Sequence, residues 1–286
     1  MGKTHKTISK VSRENLVERA RTLIPVLRAE ADAAERRRAI APEIITALRE
    51  AGIFRILQPE RFGGFEYDFG MVVRINSLIG QGCTSTAWVC GLGITHQWII
   101  SGFPPQAQED VWSEDSEAIT YGSYGPVAEA KPVDGGWTIS GTWPFASGCD
   151  HGQWGLLGAQ FRDAHANDAS APGFILVPAA DYRIHDDWFT NGLAATGSKS
   201  IVCEDVFVPS HRRLMFSDVM SGNSPGYRAS GKPLYSIPMF AGIPTAITSP
   251  ALGALQGTID PFIETTSLKT TRGIQSGARA AGFAAV

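Results

Sequence analysis

Near Ala118 the hydrophobic period of the chain changes, and that change limits the fold more than any other feature. Before it, Leu16, Ala20, Leu23, Leu27, Ala31 and Ala34 recur at three- and four-residue steps, the stripe of an amphipathic helix. After it come AITYGS, VAEAKPV, WTISGTW, WGLLGAQF, GFILVP and SIVCEDVFVP. These are short runs rich in β-branched and aromatic residues, divided by turns, as strands are. From about Arg228 the helical pattern returns. The order predicts an α+β protein with an N-terminal helical domain over residues 1–117 and a middle antiparallel β-barrel or sandwich over 118–228. The start of a C-terminal helical bundle follows over 229–286.

Local signals set the boundaries. Pro25 is expected to kink the first helix. Pro42 opens a second and Gly52 closes it. QPERFGGFEYD reads as a loop, Asp68 as the cap of a third helix and Ser85 as the cap of a fourth. Pro105 starts a short fifth. Asp134-Gly135-Gly136 predicts a hairpin turn. Pro244, Pro250 and Pro261 are expected to interrupt the apolar stretch from Ile243 to Ile263. The sequence ends on GARAAGFAAV, still in a helical pattern, from which an incomplete bundle is expected.

Composition narrows the function. A net charge of −3 with 19% charged residues lacks the basic excess of a nucleic-acid binder. Arg36, Arg37 and Arg38 cluster at a helix end, where a solvated run suits the dipole. Cys83, Cys90, Cys149 and Cys203 lie far apart, without CxxC pairing or zinc spacing, so no metal is expected. No apolar run approaches the ~20 residues of a membrane span, and MGKTHKTISK lacks a signal peptide's apolar core. A reducing, cytoplasmic setting without membrane or nucleic-acid partners is expected. Walker A, GxSxG and HExxH sequences are all missing, which leaves hydrolase chemistry unsupported.

Three stretches could carry chemistry. SGTWPFASGCDHGQW, residues 140–154, gathers Trp143, Phe145, Ser147, His151 and Trp154. Aromatic walls with a few directed polar groups suit a flat heterocycle, though a hairpin filling a barrel core accounts for the same composition equally well. In STAWVCGLGITHQW, residues 85–98, Trp88, Thr95 and His96 fall near one helix face. His96 could orient or deprotonate a phenol, although a lone helical histidine is more often structural. Gly91-x-Gly93 follows no strand and lacks a third glycine, so it is no dinucleotide fingerprint. Thr196-Gly197-Ser198-Lys199 could hold a phosphate, and an ordinary tight turn explains it as well.

The string GTWPFASGCDHGQW resembles the SGxWxFxSGxxH segment found in the monooxygenase branch of the acyl-CoA dehydrogenase superfamily. ILQPERFGGFE, STAWVCGLGITHQW and EDVFVP are similar to the same branch in order and spacing. That branch includes the oxygenase components of 4-hydroxyphenylacetate and secosteroid-phenol hydroxylases. Where true acyl-CoA dehydrogenases carry Thr-Glu-Pro-x-x-Gly-Ser-Asp and Trp-Ile-Thr, this chain reads TYGSYGPVAE and WPFASG. The resemblance therefore implies an oxygenase component of a two-component flavin-dependent monooxygenase.

By that resemblance, a separate NAD(P)H-dependent reductase supplies reduced FMN or FAD. O2 then gives a flavin C4a-hydroperoxide, which hydroxylates a small phenolic or aromatic substrate. Ser147 matches the serine near flavin N5, and His96 the histidine that contacts the substrate phenol. Trp88, Trp143 and Phe145 are implied to line the flavin pocket. Ser123 stands where relatives carry a serine run, and Thr196, Gly197 and Ser198 complete the expected cofactor set. Tyr235 and Phe240 are substrate-pocket candidates, and a homotetramer is implied for the full-length protein. The rival readings are S- or N-oxygenation by the same peroxide, an acyl-CoA dehydrogenase holding oxidised FAD, and a non-catalytic remnant.

Overall fold

The computed structural model describes residues 11–162 and 170–269; the GARAAGFAAV end lies outside them. Helix α1 (Arg13–Arg37) continues through Pro25, with Ser12 accepting from the Asn15 N–H at its start. Helix α2 (Pro42–Glu50) begins on its proline, and Gly52 follows at φ 83°. Asp68 caps α3 (Phe69–Gly82) by accepting from the Met71 N–H. Helix α4 (Thr84–Ile100) is capped by Cys83. Ser85, expected as that cap, lies one residue inside the helix, and its hydroxyl donates to Glu35. Helix α5 (Pro105–Trp112) completes the N-terminal set.

Strands β1 (Thr120–Val133), β2 (Gly136–Trp143), β3 (Trp154–Arg162), β4 (Ser170–Pro178), β5 (Arg183–His185), β6 (Ser200–Pro209) and β7 (Arg213–Met215) follow. They form one seven-stranded sheet in the order β5-β6-β2-β1-β3-β4-β7. The expected all-antiparallel arrangement is corrected at one pairing, for β1 runs parallel to β3. The reason lies in PFASGCDHGQ: this segment carries the chain from the end of β2 across β1, so that β3 enters alongside Thr120 instead of turning back. A two-residue turn does join β1 to β2, with Val133 opposite Gly136 and Gly135 at φ 77°, where a side chain would be strained. AITYGS and VAEAKPV, which look like two strands, are one strand whose pairing with β3 breaks between Ser123 and Ala128.

Short helices α6 (Phe216–Ser221) and α7 (Pro225–Ser230) lead into α8 (Met239–Leu268). Pro244, Pro250 and Pro261 do not interrupt α8. Each removes one N–H donor, and close helix packing offsets the loss. A Cβ on Gly80 would lie 2.9 Å from the Pro250 carbonyl, and one on Gly91 2.7 Å from that of Ala246. Gly91 and Gly93 therefore serve backbone approach: a Cβ on Gly93 would come within 2.9 Å of Phe54 and the Tyr121 hydroxyl.

Two cores result. One joins the N-terminal helices to Tyr121, Leu156, Phe174 and Ile243. The other fills the sheet around Trp143, Leu157, Ile175 and Ile201. Arginines 36–38 are not a uniformly solvated run. Arg37 pairs with Glu30 at 2.7 Å, and Arg38, at φ 60°, reaches the loop after β5.

Candidate active site

Helix α4 is apolar around its whole circumference and buried on nearly every side, as expected of a helix at the centre of a fold. Its Trp88, Leu92 and His96, four residues apart and so on one face, line a cavity of about 570 Å³. The opposing walls come from Ser123 and Tyr124 on β1, Phe145 and Ser147 after β2, and Thr196 and Ser198 before β6. Helix α8 contributes Met239, Phe240, Ile243 and Ile247. The break in the β1–β3 ladder falls beside Ser123 and Tyr124, and ladder irregularities of this kind often re-aim side chains at sites.

His96 is almost fully buried. Its Nδ1 lies 2.8 Å from the Thr120 carbonyl. A carbonyl only accepts, so Nδ1 carries the proton, and Nε2 is left as an acceptor on a ring that lines the cavity. Burial pushes the imidazole pKa down to about 4, against a smaller opposing effect of the Thr120 hydrogen bond. The ring is neutral at physiological pH. Tyr124 packs against it at 5.4 Å, and burial holds that phenol protonated. Thr95 turns away, its hydroxyl donating to the Gly91 carbonyl at 2.9 Å.

Ser147 sits in a chain of polar contacts. Trp88 Nε1 donates to its Oγ at 3.2 Å, and Ser198 Oγ lies 2.6 Å away. Ser198 Oγ is also 2.6 Å from Thr196 Oγ1, which donates to the Leu193 carbonyl at 2.8 Å. The 196–199 turn is committed internally. Lys199 Nζ pairs with Asp150 at 2.9 Å, and the Gly197 and Lys199 N–H groups bond to the Ala194 and Gly197 carbonyls. The lysine and these two N–H groups are thus already partnered within the fold.

Other expected residues lie elsewhere. Trp143 is not a cavity wall: it is fully buried in the sheet core, with Nε1 donating to the Gly158 carbonyl at 2.7 Å. Strand alternation puts it on the inner face, whereas Phe145, past the strand end at φ 62°, projects into the cavity mouth and is 69% exposed. Gly197 holds the turn at φ 53° without lining the cavity. Tyr235 borders a second, more polar hollow beside Arg61 and Lys232. Its hydroxyl lies 3.3 Å from the Leu57 carbonyl and 3.2 Å from Glu66. Phe240 does face the main cavity and is 70% exposed. A serine in place of Gly122 is excluded by this pairing, since a Cβ there would meet the Leu156 carbonyl at 1.9 Å.

Sequence reasoning missed Trp188, Leu193 and the α8 stripe. Met239, Ile243 and Ile247 recur every four residues, a signal that the intervening Pro244 obscured. Trp188 lies in the irregular HDDWFTNG loop, where no period marks it. There it meets Phe145 edge to face at 6.1 Å and donates to the Leu193 carbonyl at 3.2 Å.

A helical domain, a central sheet and a returning long helix around one aromatic cavity define the acyl-CoA dehydrogenase fold. Residues 12–115 match the acyl-CoA dehydrogenase N-terminal domain family. The chain is 41% identical over 92% of its length to the oxygenase component of FADH(2)-dependent resorcinol hydroxylase from Rhizobium sp. (strain MTP-10005), spanning 64% of that protein. It is 32% identical to a pigment production hydroxylase from Rhodococcus sp. (strain ATCC 21145), covering 95% of this chain and 69% of the relative. Among solved structures, 3-HSA hydroxylase from Rhodococcus sp. RHA1 superposes with a TM-score of 0.85 at 36% identity, over 89% of this chain and 66% of that one. XiaF from Streptomyces sp., in complex with FADH2 and glycerol, gives 0.82 at 25% identity over 93% and 67%. The chain belongs to the flavin-dependent monooxygenase branch of the acyl-CoA dehydrogenase superfamily.

The cavity fits a flavin ring by its own chemistry. Its walls are aromatic and aliphatic, two aromatic side chains stand exposed at its mouth, and its volume is that of a small-ligand site. The polar groups are hydroxyls and one imidazole, and no carboxylate lines it among the described residues. Trp88, Phe145 and Trp188 would flank a planar ring, and Ser147, Ser198 and Ser123 would meet its polar edge. No group of His, Cys, Asp or Glu side chains able to hold a metal is found among the described residues.

Proposed function

We propose that this protein acts as the oxygenase component of a two-component flavin-dependent monooxygenase that hydroxylates a phenolic small molecule. The observation that carries the reading is the fixed tautomer of His96. A neutral imidazole, with Nδ1–H spent on Thr120 and its ring on the cavity wall, can accept a hydrogen bond from a phenolic O–H and so orient it. A phenol polarised in this way is more electron-rich at the carbons to be oxygenated. Reduced flavin, when bound, supplies the activated oxygen from O2. The protein's share is to hold the two ligands together and to keep water from the reacting faces, which the apolar lining of α4 and α8 does.

The same reading brings a separate NAD(P)H-dependent flavin reductase as partner, since the fold described has no nucleotide-binding βαβ unit among the described residues. We assign the active assembly as a homotetramer. Leu252, Leu255, Ile259 and Phe262 on α8 are exposed, the kind of apolar helix face that other helices cover. No helix among the described residues is long and apolar enough to cross a membrane. The four cysteines are buried and unpaired, which supports a cytoplasmic location.

The test is an anaerobic titration with reduced and oxidised FMN and FAD, followed by oxygen and a simple phenol such as resorcinol. The expected result is tight binding of reduced flavin and formation of a catechol- or triol-type product. Tight binding of oxidised FAD with no hydroxylation would overturn it in favour of a dehydrogenase.

A further inference from the structure

From Ser85 to Ile100, helix α4 buries every residue except Trp88 and Leu92, and both of these line the cavity. A leucine left uncovered in an otherwise enclosed helix presents its isobutyl group to whatever fills the space beside it. Two contacts fix how α8 runs against α4. Trp98 Nε1 donates to the Leu234 carbonyl, upstream of α8, at 2.9 Å, and a Cβ on Gly91 would lie 2.7 Å from the Ala246 carbonyl. The two helices are therefore antiparallel. Along the cavity, Met239 stands towards the His96 end and Ile247 towards the Trp88 end. Ile243 falls between them, as Leu92 falls between Trp88 and His96.

The cavity's polar groups divide in the same way. Trp88 holds Ser147 through its indole N–H at 3.2 Å, which marks one end. At the other, His96 is tied to Thr120 and Tyr124 packs on its ring. Eight residues of α4 carry the chain from Trp88 to His96. At the α-helical rise that is about 12 Å, and the side chains facing the cavity between the two ends are apolar. We propose that Leu92 and Ile243 form a waist that sets the size of the aromatic substrate reaching His96. The proposal rests on the flavin reading above, with the flavin ring beside Trp88 and the phenol beside His96. Both ligands share that one length. A substrate with a second fused ring therefore meets the leucine and isoleucine side chains before its hydroxyl reaches the imidazole. The site as built takes a single-ring phenol and disfavours a fused-ring one.

The experiment compares kcat/KM for resorcinol and for 2-naphthol at saturating reduced flavin, with dissociation constants for reduced flavin measured anaerobically in parallel. Wild type should favour resorcinol by about tenfold or more. Leu92→Ala and Ile243→Ala each open the waist from one side. Both should shift the ratio towards 2-naphthol by about 10–200-fold, the range that methylene-scale changes in an apolar pocket give. Reduced-flavin affinity should be little changed. Leu92→Met, of nearly equal volume, should keep the wild-type ratio, which a general loosening of α4 would not. Ile243→Val should give the same shift in smaller measure, and it serves where the alanine variant fails to fold.

If the ratio of the two phenols stays at its wild-type value in the Leu92 and Ile243 variants while reduced flavin still binds, the waist does not set substrate size. The proposal then fails and the hydroxylase reading stands. Wild type that turns over both phenols equally well overturns it too. If wild type hydroxylates neither phenol, or binds no reduced flavin, the reading beneath fails and takes the proposal with it.

Discussion

Arg38 holds Asp186 through both arms of its guanidinium, at 2.7 and 2.8 Å, and donates to the Trp188 carbonyl at 2.8 Å. The Phe189 ring lies 4.0 Å from the same guanidinium carbon. One residue at the end of α1 thus clamps the loop that presents Trp188 to the cavity. Arg38→Ala should free that loop, weakening flavin about three- to tenfold as its ordering is lost. Limited proteolysis would show cutting between residues 186 and 193. Arg38→Lys should behave almost as badly, because an ammonium cannot fork.

Replacing His96 with Ala removes the proton acceptor and leaves the flavin contacts in place. Phenol hydroxylation should fall by about 10²–10⁴-fold, with flavin affinity within a factor of about two. Oxidation of a thioether, which has no proton to lose, should be spared. Steady-state product analysis with both substrates at saturating reduced flavin checks this; equal losses on both would remove His96 from proton transfer.

The same histidine sets a pH signature in stability. Its pKa is about 4 in the fold, against about 6.5 in an unfolded chain. Between these values the unfolded chain binds the extra proton. Stability is therefore full above pH 6.5, falls as the pH is lowered towards 4, and levels off below. The loss is on the order of 3 kcal/mol. Half-buried His151, also shifted down by burial, acts in the same direction. Urea midpoints from pH 7.5 to 4 should show the slope, and His96→Gln should flatten most of it.

Trp143 and Phe145, two residues apart, should separate stability from binding. Trp143→Phe leaves the Gly158 carbonyl without its buried donor and should cost about 1–3 kcal/mol, with flavin affinity unchanged in the folded fraction. Phe145→Ala, at an exposed position on the cavity rim, should weaken flavin with little effect on the melting temperature. Thermal melts and flavin titrations on the two variants make the comparison.

The order of helices, strands and helices was legible because hydrophobic period is local. Pro42, Asp68 and Pro105 mark helix starts that the structure keeps. What sequence could not show is set by distant partners. The three prolines of α8 look like breaks until Gly80 and Gly91 are seen to admit the helix backbone. The parallel β1–β3 pairing depends on where the ten-residue connection between Trp143 and Trp154 crosses, which alternation does not encode. In the cavity, His96, Trp88, Phe145 and Ser147 stand in recognisable strings. Trp188 was hidden in a loop, and Trp143 was assigned to the cavity because its neighbour in the string belongs there.

The Nδ1 partner of His96 belongs to β1, while the histidine itself rides on α4. The imidazole is thus wired across the boundary between the helical domain and the sheet. Parting α4 from β1 would break the bond that fixes its tautomer. In the reaction proposed above, the histidine's readiness to accept is therefore an interlock on the contact between those two layers.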